Sequence, residues 1–306
     1  MPTPVPVTGL PWVPAAAFVL VWSSGYIAGP AAVDAAAPFM VLAWRFGLAA
    51  AMAAAWCLFA RRPWRMTRAT AVRVAGVGLA MNAVQFGLMY LAFARGLGAT
   101  LGSLFHALSP VLTVVLAALL LSERIAPRQV LGFVAGVGGV LLVLAPDVGA
   151  AGGAVAVGLG AVSMLGLSLG TLGQRWIGAA PDPVWSATLQ FAVSVPPMLA
   201  LGLMLEGPWP VEDVRAAGWS LAWLAIVNSI VGLVLLGALV RAGGAGAAGS
   251  LFFLAPPVTA VMAWLMLGET LSPRELLGLV IAVIGVGVAT RPPRGRRDAP
   301  PLAPGA

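Results

Sequence analysis

Ten apolar stretches follow one another along the 306-residue chain, and each is close to the length that crosses a lipid bilayer as a helix. A bilayer core is spanned by about 20 apolar residues in a helix. The stretches are continuous rather than alternating, which favours transmembrane helices over the strands of a barrel. The predicted spans cover residues 11–31, 36–60, 73–94, 98–121, 127–145, 152–174, 184–205, 219–240, 246–267 and 274–290.

The composition supports this interpretation and excludes several others. Hydrophobic residues make up 60% of the chain and charged residues only 9%, whereas about a quarter of the residues in a soluble domain are charged. A soluble enzyme and a disordered protein are therefore excluded. The single cysteine, Cys57, excludes a fold built on intramolecular disulfides. We predict an all-α, polytopic membrane protein.

The basic residues orient the predicted spans. All 17 are arginine, and they give a net charge of +7. Binding of nucleic acid would need a basic face on a soluble module, whereas these arginines flank apolar stretches, where they contact lipid headgroups. With both termini in the cytoplasm, thirteen arginines lie on the cytoplasmic side, three lie outside and Arg45 lies within the second span. We therefore predict a multi-pass protein of the cell inner membrane with cytoplasmic termini and no nucleic-acid partner.

The chain also repeats itself. When residues 92–143 are moved by 146 positions onto residues 238–289, 20 of the 52 pairs are identical, and a shift of 145 relates the earlier helices. Each half thus has five helices, and because five is odd the halves lie inverted in the membrane, an architecture typical of transporters. The predicted division is a cytoplasmic segment at 1–10, five-helix repeats at 11–145 and 146–290, and a disordered basic cytoplasmic tail at 291–306.

The repeated part carries a recognisable motif. Its first copy reads Pro110-Val-Leu-Thr, Leu-Ser-Glu123-Arg-Ile and Gln129-Val-Leu-Gly132, and its second has Pro256, Glu269 and Gly278 at the matching positions. Together with Trp22-Ser-Ser-Gly25 and Arg45-Phe46, this pattern resembles the EamA-like branch of the drug/metabolite transporter superfamily. The resemblance implies ten helices, a central substrate cavity between the halves, and usually export of amino acids or related small metabolites.

Amides within the spans are the first candidates for a cavity lining. Asn82 and Asn228 are related by the repeat, and Gln85 lies one turn after Asn82. Amides in hydrocarbon need partners, so these residues either join helices or line the cavity at the repeat interface. Four aromatic residues could add to the lining, although packing or a position at the membrane surface is the alternative for each: Trp22, Tyr26, Tyr90 and Phe253.

Arg45 and His106 are the remaining candidates for the cavity. An unpaired arginine inside a span costs about 2.5–3.5 kcal/mol, so Arg45 either binds a substrate carboxylate or pairs with backbone carbonyls or an acid at a helix end. His106, the only histidine, could couple protons to transport or form hydrogen bonds between helices. Ser103 lies one turn before it, which raises an intramembrane serine hydrolase as an alternative, but no oxyanion-hole motif accompanies the pair.

Prolines and acids at helix breaks complete the candidates. Pro110, Pro256 and Pro257 interrupt the fourth and ninth helices at corresponding places, and each frees a backbone carbonyl, so we expect gating hinges, with packing kinks as the alternative. Glu123 and Glu269 follow the same two helices, where we expect them to brace the turn into the next helix rather than to couple ions. Glycines in the fifth and tenth helices allow a close contact within the bundle or in a homodimer.

The sequence has no Walker A motif, no Cys/His metal spacing and no cofactor fingerprint. We therefore predict a secondary carrier without cofactor or metal that exports small polar metabolites, amino acids or their derivatives first, by alternating access. Efflux of hydrophobic or cationic toxic compounds is the alternative, although no carboxylate lies deep in a span. Outside transport, a membrane enzyme or a non-transporting scaffold is the rival interpretation.

Overall fold

A computed structural model describes residues 10–122, 125–144, 149, 151–177, 181–207 and 211–290. Over these ranges the chain is helical and forms no sheet, apart from one isolated bridge between Ala36 and Val211. In chain order the helices are α1 (Trp12–Ala35), α2 (Pro38–Phe59), α3 (Arg68–Ala94), α4 (Ala99–Leu121), α5 (Pro127–Leu144), α6 (Gly153–Trp176), α7 (Pro183–Leu205), α8 (Val214–Ala242), α9 (Ala248–Leu267) and α10 (Pro273–Thr290).

The predicted all-α membrane fold is confirmed. Within the described ranges nine helices, α1 to α9, are long and apolar enough to cross a membrane, and α10 adds 18 residues. Many large apolar side chains point outward, among them Leu203, Met204 and Trp264. Such a surface would be an aggregation hazard in water but suits contact with lipid. Residues 1–9 of the predicted N-terminal segment at 1–10, the predicted tail at 291–306, and Glu123 lie outside the described residues.

The largest boundary differences are at the starts of α3 and α8, which begin five residues before the limits expected from hydropathy. Both starts are fixed by polar caps. The Thr67 hydroxyl accepts a hydrogen bond from the Thr70 N–H, and the Asp213 carboxylate accepts from Arg215 and Ala216. Side-chain caps of this kind stabilise a helix end whatever the hydropathy of the first turn. Apolar runs alone therefore placed these two starts too late.

The contact between α5 and α10 demonstrates the inverted relation of the repeats. A Cβ added at Gly132 would lie 2.5 Å from the carbonyl oxygen of Gly285, and one added at Gly139 would lie 2.5 Å from that of Gly278. The helices therefore run antiparallel and touch through their backbones. The repeat pairs Gly132 with Gly278 and Gly139 with Gly285, so exchange of the halves turns each contact into the other. The two-fold axis is thus perpendicular to the helices, in the membrane plane.

Irregular backbone occurs at matching places in the two repeats. α3 contains a π-helical stretch at Leu79–Val84, and α8 contains one at Trp223–Val231, which overlap when the chain is shifted by 146 residues. π-helical turns widen a helix and are frequent at functional sites. These two stretches hold Asn82 and Asn228.

The prolines start new helical segments. α4 is interrupted at Leu108, so that Pro110 lies in the first turn of the segment Ser109–Leu121. In α9 a 3-10 turn, Leu251–Leu254, precedes the segment Ala255–Leu267 that contains Pro256 and Pro257. Proline suits the first turn of a helix because the N–H that it lacks would have no partner there.

Candidate functional site

A cavity of about 470 Å³ lies between the two repeats. It is bounded by α1 to α4 of the first repeat and by α6, α7 and α8 of the second, and all but one of the predicted cavity residues line it. Those residues are Trp22, Tyr26, Arg45, Asn82, Gln85, Tyr90, His106 and Asn228. The structure therefore brings together side chains that are more than 200 positions apart in the sequence.

Phe253 is the exception. It is not among the cavity-lining residues and packs against the main apolar core instead. Its neighbour Phe252 meets Trp22 edge to face, with ring centroids 4.7 Å apart. Both lie in the 3-10 turn of α9, whose tighter winding changes the direction of each side chain relative to a continuous α-helix. Phe253 therefore takes the packing alternative that the sequence left open for each aromatic residue.

Arg45 is held by neutral groups from both repeats. Its Nη1 donates to the Tyr90 hydroxyl at 2.9 Å and its Nε to the Ser229 hydroxyl at 3.4 Å. The guanidinium also lies over the Phe86 ring, 4.5 Å from the centroid, a cation–π contact. The side chain is only 5% exposed. Neither of the structural partners expected from sequence, a backbone carbonyl or an acid at a helix end, is bonded to Arg45 within the described ranges.

His106 lies between two side chains of its own repeat. Its Nδ1 is 2.7 Å from the Tyr26 hydroxyl and its Nε2 is 2.9 Å from Nε2 of Gln85. Both ring nitrogens are thus occupied, and the three residues join α1, α3 and α4. Ser103 donates instead to the Thr100 carbonyl at 2.7 Å. It makes no described hydrogen bond with His106, so the pair that a serine hydrolase needs is not formed.

The two repeat-related asparagines differ in their bonding. Asn228 donates from Nδ2 to the carbonyl of Val21 in α1, and its side chain packs against Gly25, where an added Cβ would overlap the amide. Asn82 is only 7% exposed, faces the cavity and has no hydrogen-bond partner within the described part of the chain. Asn228 therefore joins two helices as well as lining the cavity, whereas the Asn82 amide is available to a cargo molecule.

Acids at helix ends connect the repeats. Instead of bracing the turn into α10, the Glu269 carboxylate accepts from the Ala99 N–H at 2.6 Å and from the Thr100 hydroxyl at 2.8 Å, at the start of α4. Glu206 likewise accepts from Phe39 and Met40 at the start of α2. A carboxylate is favourable at a helix N-terminus because the exposed N–H groups carry partial positive charge. The expected position of Glu269 at a helix end was right, but its partner was not.

Several site residues were missed from the sequence. Phe86 and Ser229 contact Arg45, yet their repeat partners are Gly232 and Ala83, so symmetry gave no signal for them. Phe86 could have been found because it lies one helical turn before Tyr90 and shares its face. Ser229 follows Asn228 within a π-helical stretch, and helical periodicity does not fix its direction there.

The cavity extends to the end of the bundle where α6 and α7 are joined. Ile177, Pro181 and Pro183 line this mouth. Beside it Arg62 donates to Asp182 at 2.7 Å, which ties the end of α2 to the start of α7. Burial acts to raise the pKa of Asp182, but hydrogen bonds from Trp185, Arg62 and Val184 outweigh it and hold the pKa below its ordinary value. Pro110, Pro256 and Pro257 do not line the cavity.

Metal binding has no support from the described side chains, because no group of three or more His, Cys, Asp or Glu residues there could hold an ion. The polar groups of the cavity are instead hydroxyls, amides, one imidazole and one guanidinium. These groups can bind a small molecule through hydrogen bonds and one charge.

Curated relatives are similar to this chain over most of its length. A probable amino-acid metabolite efflux pump of Salmonella typhimurium is 26% identical over 92% of this chain and 95% of its own. A probable terminal-alkyne amino-acid exporter of Streptantibioticus cattleyicolor is 31% identical over 64% of this chain and 65% of its own. A solved crystal structure matches the fold with a TM-score of 0.64 at 21% identity, covering 91% of this chain and 95% of that one.

The family assignment rests on both halves of the molecule. The model of the EamA-like transporter family matches residues 9–145 and again residues 154–291. This double match agrees with the ten-helix architecture, the inverted repeats and the cavity between them. The chain belongs to the EamA-like transporter family.

Proposed function

We propose that the protein is a secondary carrier of the cell inner membrane that exports small polar metabolites, amino acids or their derivatives first, by alternating access. The observation that carries this proposal is the cavity between the inverted repeats, with buried polar side chains at one end and a mouth at the other. Binding at the interface of inverted repeats is typical of carriers. The names of the Salmonella and Streptantibioticus relatives support amino-acid metabolites as the first class to test.

The proposed direction follows from the two ends of the cavity. The mouth lies at the α6–α7 connection, which the arginine distribution assigns to the cytoplasm. Tyr26, Tyr90 and Phe93 line the cavity and are buried, and we infer that they close its opposite end. We therefore assign this conformation to the state that loads cargo from the cytoplasm. Exchange of the conformations of the two repeats, with bending at the segments that begin near Pro110 and Pro256, would open the other end.

Efflux of hydrophobic or cationic compounds is the second candidate. Its support is the apolar part of the lining, which includes Met89, Phe191 and Leu233. Against a cationic cargo stands Arg45, which places a positive charge in the same cavity. We therefore rank this candidate below export of polar metabolites.

The test is solute counterflow in proteoliposomes that contain the purified protein. Labelled amino acids and their N-acyl and 2-oxo derivatives should accumulate against unlabelled solute inside, and protein-free liposomes should show no accumulation. Repetition with a pH gradient tests proton coupling, for which His106 is the first residue to replace. If no member of the panel accumulates but a lipophilic cation does, the second candidate replaces the first. If no solute exchanges at all, the carrier function is wrong.

A further inference from the structure

The charge of the cavity narrows the cargo further. We infer that the carrier takes organic monoanions, with a carboxylate that binds Arg45 and an apolar body, and that it discriminates against molecules carrying an ammonium group. This inference rests on the proposed function, because it names the cargo of the same cavity: within the class proposed above, it selects amino-acid derivatives without a free amine over the amino acids themselves.

The first argument is the unused capacity of Arg45. A guanidinium has five N–H donors in one plane. The described bonds use Nε and Nη1 on the Ser229 and Tyr90 hydroxyls, and no described residue bonds to Nη2. Both partners are neutral, so no described negative charge faces the guanidinium of this side chain, which is only 5% exposed. A carboxylate is the ligand that satisfies both the free donors and the charge.

The second argument is the absence of a matching acid. Among the described residues that line the cavity there is no Asp and no Glu. Three described acids outside the lining have partners of their own: Asp182 bonds to Arg62 at the mouth, Glu206 caps α2 and Glu269 caps α4. An ammonium group would therefore lose its hydration without gaining a negative charge, and in a site of low dielectric constant Arg45 would repel it.

The third argument is the chemical character of the rest of the cavity lining. Beyond Arg45 the lining is largely aromatic and aliphatic, with Phe86, Phe93, Phe191 and Leu236 around the space. Asn82 adds one unpartnered amide, which can bond a neutral carbonyl or amide of the cargo. A carboxylate on a branched aliphatic body, with a keto or acylamino group in place of a free amine, fits this set of groups.

The test compares four molecules with the same isobutyl body and different charge: 4-methyl-2-oxopentanoate and N-acetyl-leucine as monoanions, leucine as a zwitterion and leucinamide as a cation. Competition for counterflow and ligand-induced thermal stabilisation of the purified protein are both measured. We expect the monoanions to bind at least tenfold more tightly than leucine, and leucinamide to bind more weakly than leucine. Equal or tighter binding of leucine would overturn the inference.

Variants at Arg45 test the cause of this ranking. Arg45→Gln introduces the residue of the repeat partner, Gln190, and should remove the preference for monoanions, whereas Arg45→Lys should keep part of it. If Arg45→Gln does not fold, the ranking of the four molecules on the unmodified protein still decides the question. If leucine or leucinamide is exchanged and the monoanions are not, the inference is contradicted and the carrier function stays intact. Exchange of no solute, in this set or the wider panel, would contradict both.

Discussion

The two repeats share several backbone features but, apart from Asn82 and Asn228, not the polar side chains that they present to the cavity. Both have a π-helical stretch, a helix interrupted before a proline, and glycines at the α5–α10 contact. The first repeat supplies Tyr26, Arg45, Gln85, Tyr90 and His106, and the matching positions of the second hold Thr171, Gln190, Val231, Leu236 and Phe252. Symmetric backbone is what a motion between two equivalent shapes requires, whereas cargo recognition needs only one set of polar groups. In this conformation one end is closed by residues that include Tyr26 and Tyr90, whereas in the exchanged conformation the other end would be closed by their matches Thr171 and Leu236. The two conformations should therefore differ in stability.

The largest expected effect on stability is at the glycines of the α5–α10 contact, which both repeats share. Gly132→Ala and Gly278→Ala each place a Cβ within 2.7 Å of a backbone carbonyl oxygen of the facing helix. Since backbone cannot move aside locally, each variant should lose about 1–3 kcal/mol of stability. The two losses should be similar, because the positions are equivalent. Gly138→Ala, which has no atom within 4 Å, is the control, and thermal unfolding in detergent is the measurement. A large loss in only one variant would show that the interface is not symmetric.

A second pair of variants compares two glycines that are equivalent in the repeats but have different neighbours. A Cβ at Gly25 meets the Asn228 amide, which is fixed by its bond to Val21, whereas one at Gly170 meets the Met81 side chain. Methionine adapts easily, so Gly25→Ala should lower stability by about 1–2 kcal/mol and Gly170→Ala by clearly less. Unfolding midpoints of the two variants under identical detergent conditions provide the comparison. Equal losses would mean that Asn228 yields as readily as Met81.

The asparagines sharpen the comparison at the site itself. Asn228→Ala removes a partly buried hydrogen bond to α1 and should lower stability by about 1 kcal/mol. Asn82→Ala removes no described bond, so its stability should stay close to that of the unmodified protein. Both variants should bind cargo more weakly, as measured by ligand-induced thermal stabilisation. Unchanged cargo affinity in Asn82→Ala would remove that residue from the site.

The smallest expected effect is at the cavity mouth. Asp182→Asn keeps a good helix cap but removes the charge paired with Arg62, and a partly exposed pair of this kind contributes about 0.2–1 kcal/mol. Because the pKa of Asp182 is lowered in the folded protein, its contribution is complete above the ordinary pKa near 3.8 and disappears as the pH falls through the lowered value. The stability difference between variant and unmodified protein should therefore be constant from pH 7 to 5 and shrink below pH 4. A difference that grows on acidification would contradict the lowered pKa.

Much of the fold could be predicted because it depends on quantities that are local in sequence. Span length, arginine distribution and the 146-residue repeat gave ten helices, their order and their inverted relation. Depth within a span also identified most cavity residues, since polar groups in hydrocarbon must face the interior. The hydrogen-bond partners of those residues could not be predicted from the sequence. That Ser229 meets Arg45, or that Glu269 caps α4, depends on helix rotation and on packing between residues 170 or more positions apart.

Irregular backbone accounts for the one candidate cavity residue that does not line the cavity. The sequence left Phe253 either in the lining or in ordinary packing, and it packs against the core from the 3-10 turn that precedes Pro256. Pro256 itself was visible in the sequence, so the break could be expected, but the direction of the side chains before it could not. The sequence contains no feature that predicts the π-helical stretches around Asn82 and Asn228, apart from the two repeat-related amides themselves.

The lone charge of Arg45 has a consequence for energy coupling. A cell interior is electrically negative, and moving one elementary charge across 100 mV changes its free energy by about 2.3 kcal/mol. A cargo monoanion that neutralises Arg45 would leave the cell with the help of this voltage, without a proton or sodium gradient, whereas a zwitterion would gain nothing from it. Because no acid neutralises Arg45 within the described lining, the cavity would favour an anionic cargo, and the charge of that cargo would make the membrane potential the driving force. An imposed potassium diffusion potential that left monoanion flux unchanged would show that charge does not move with the cargo.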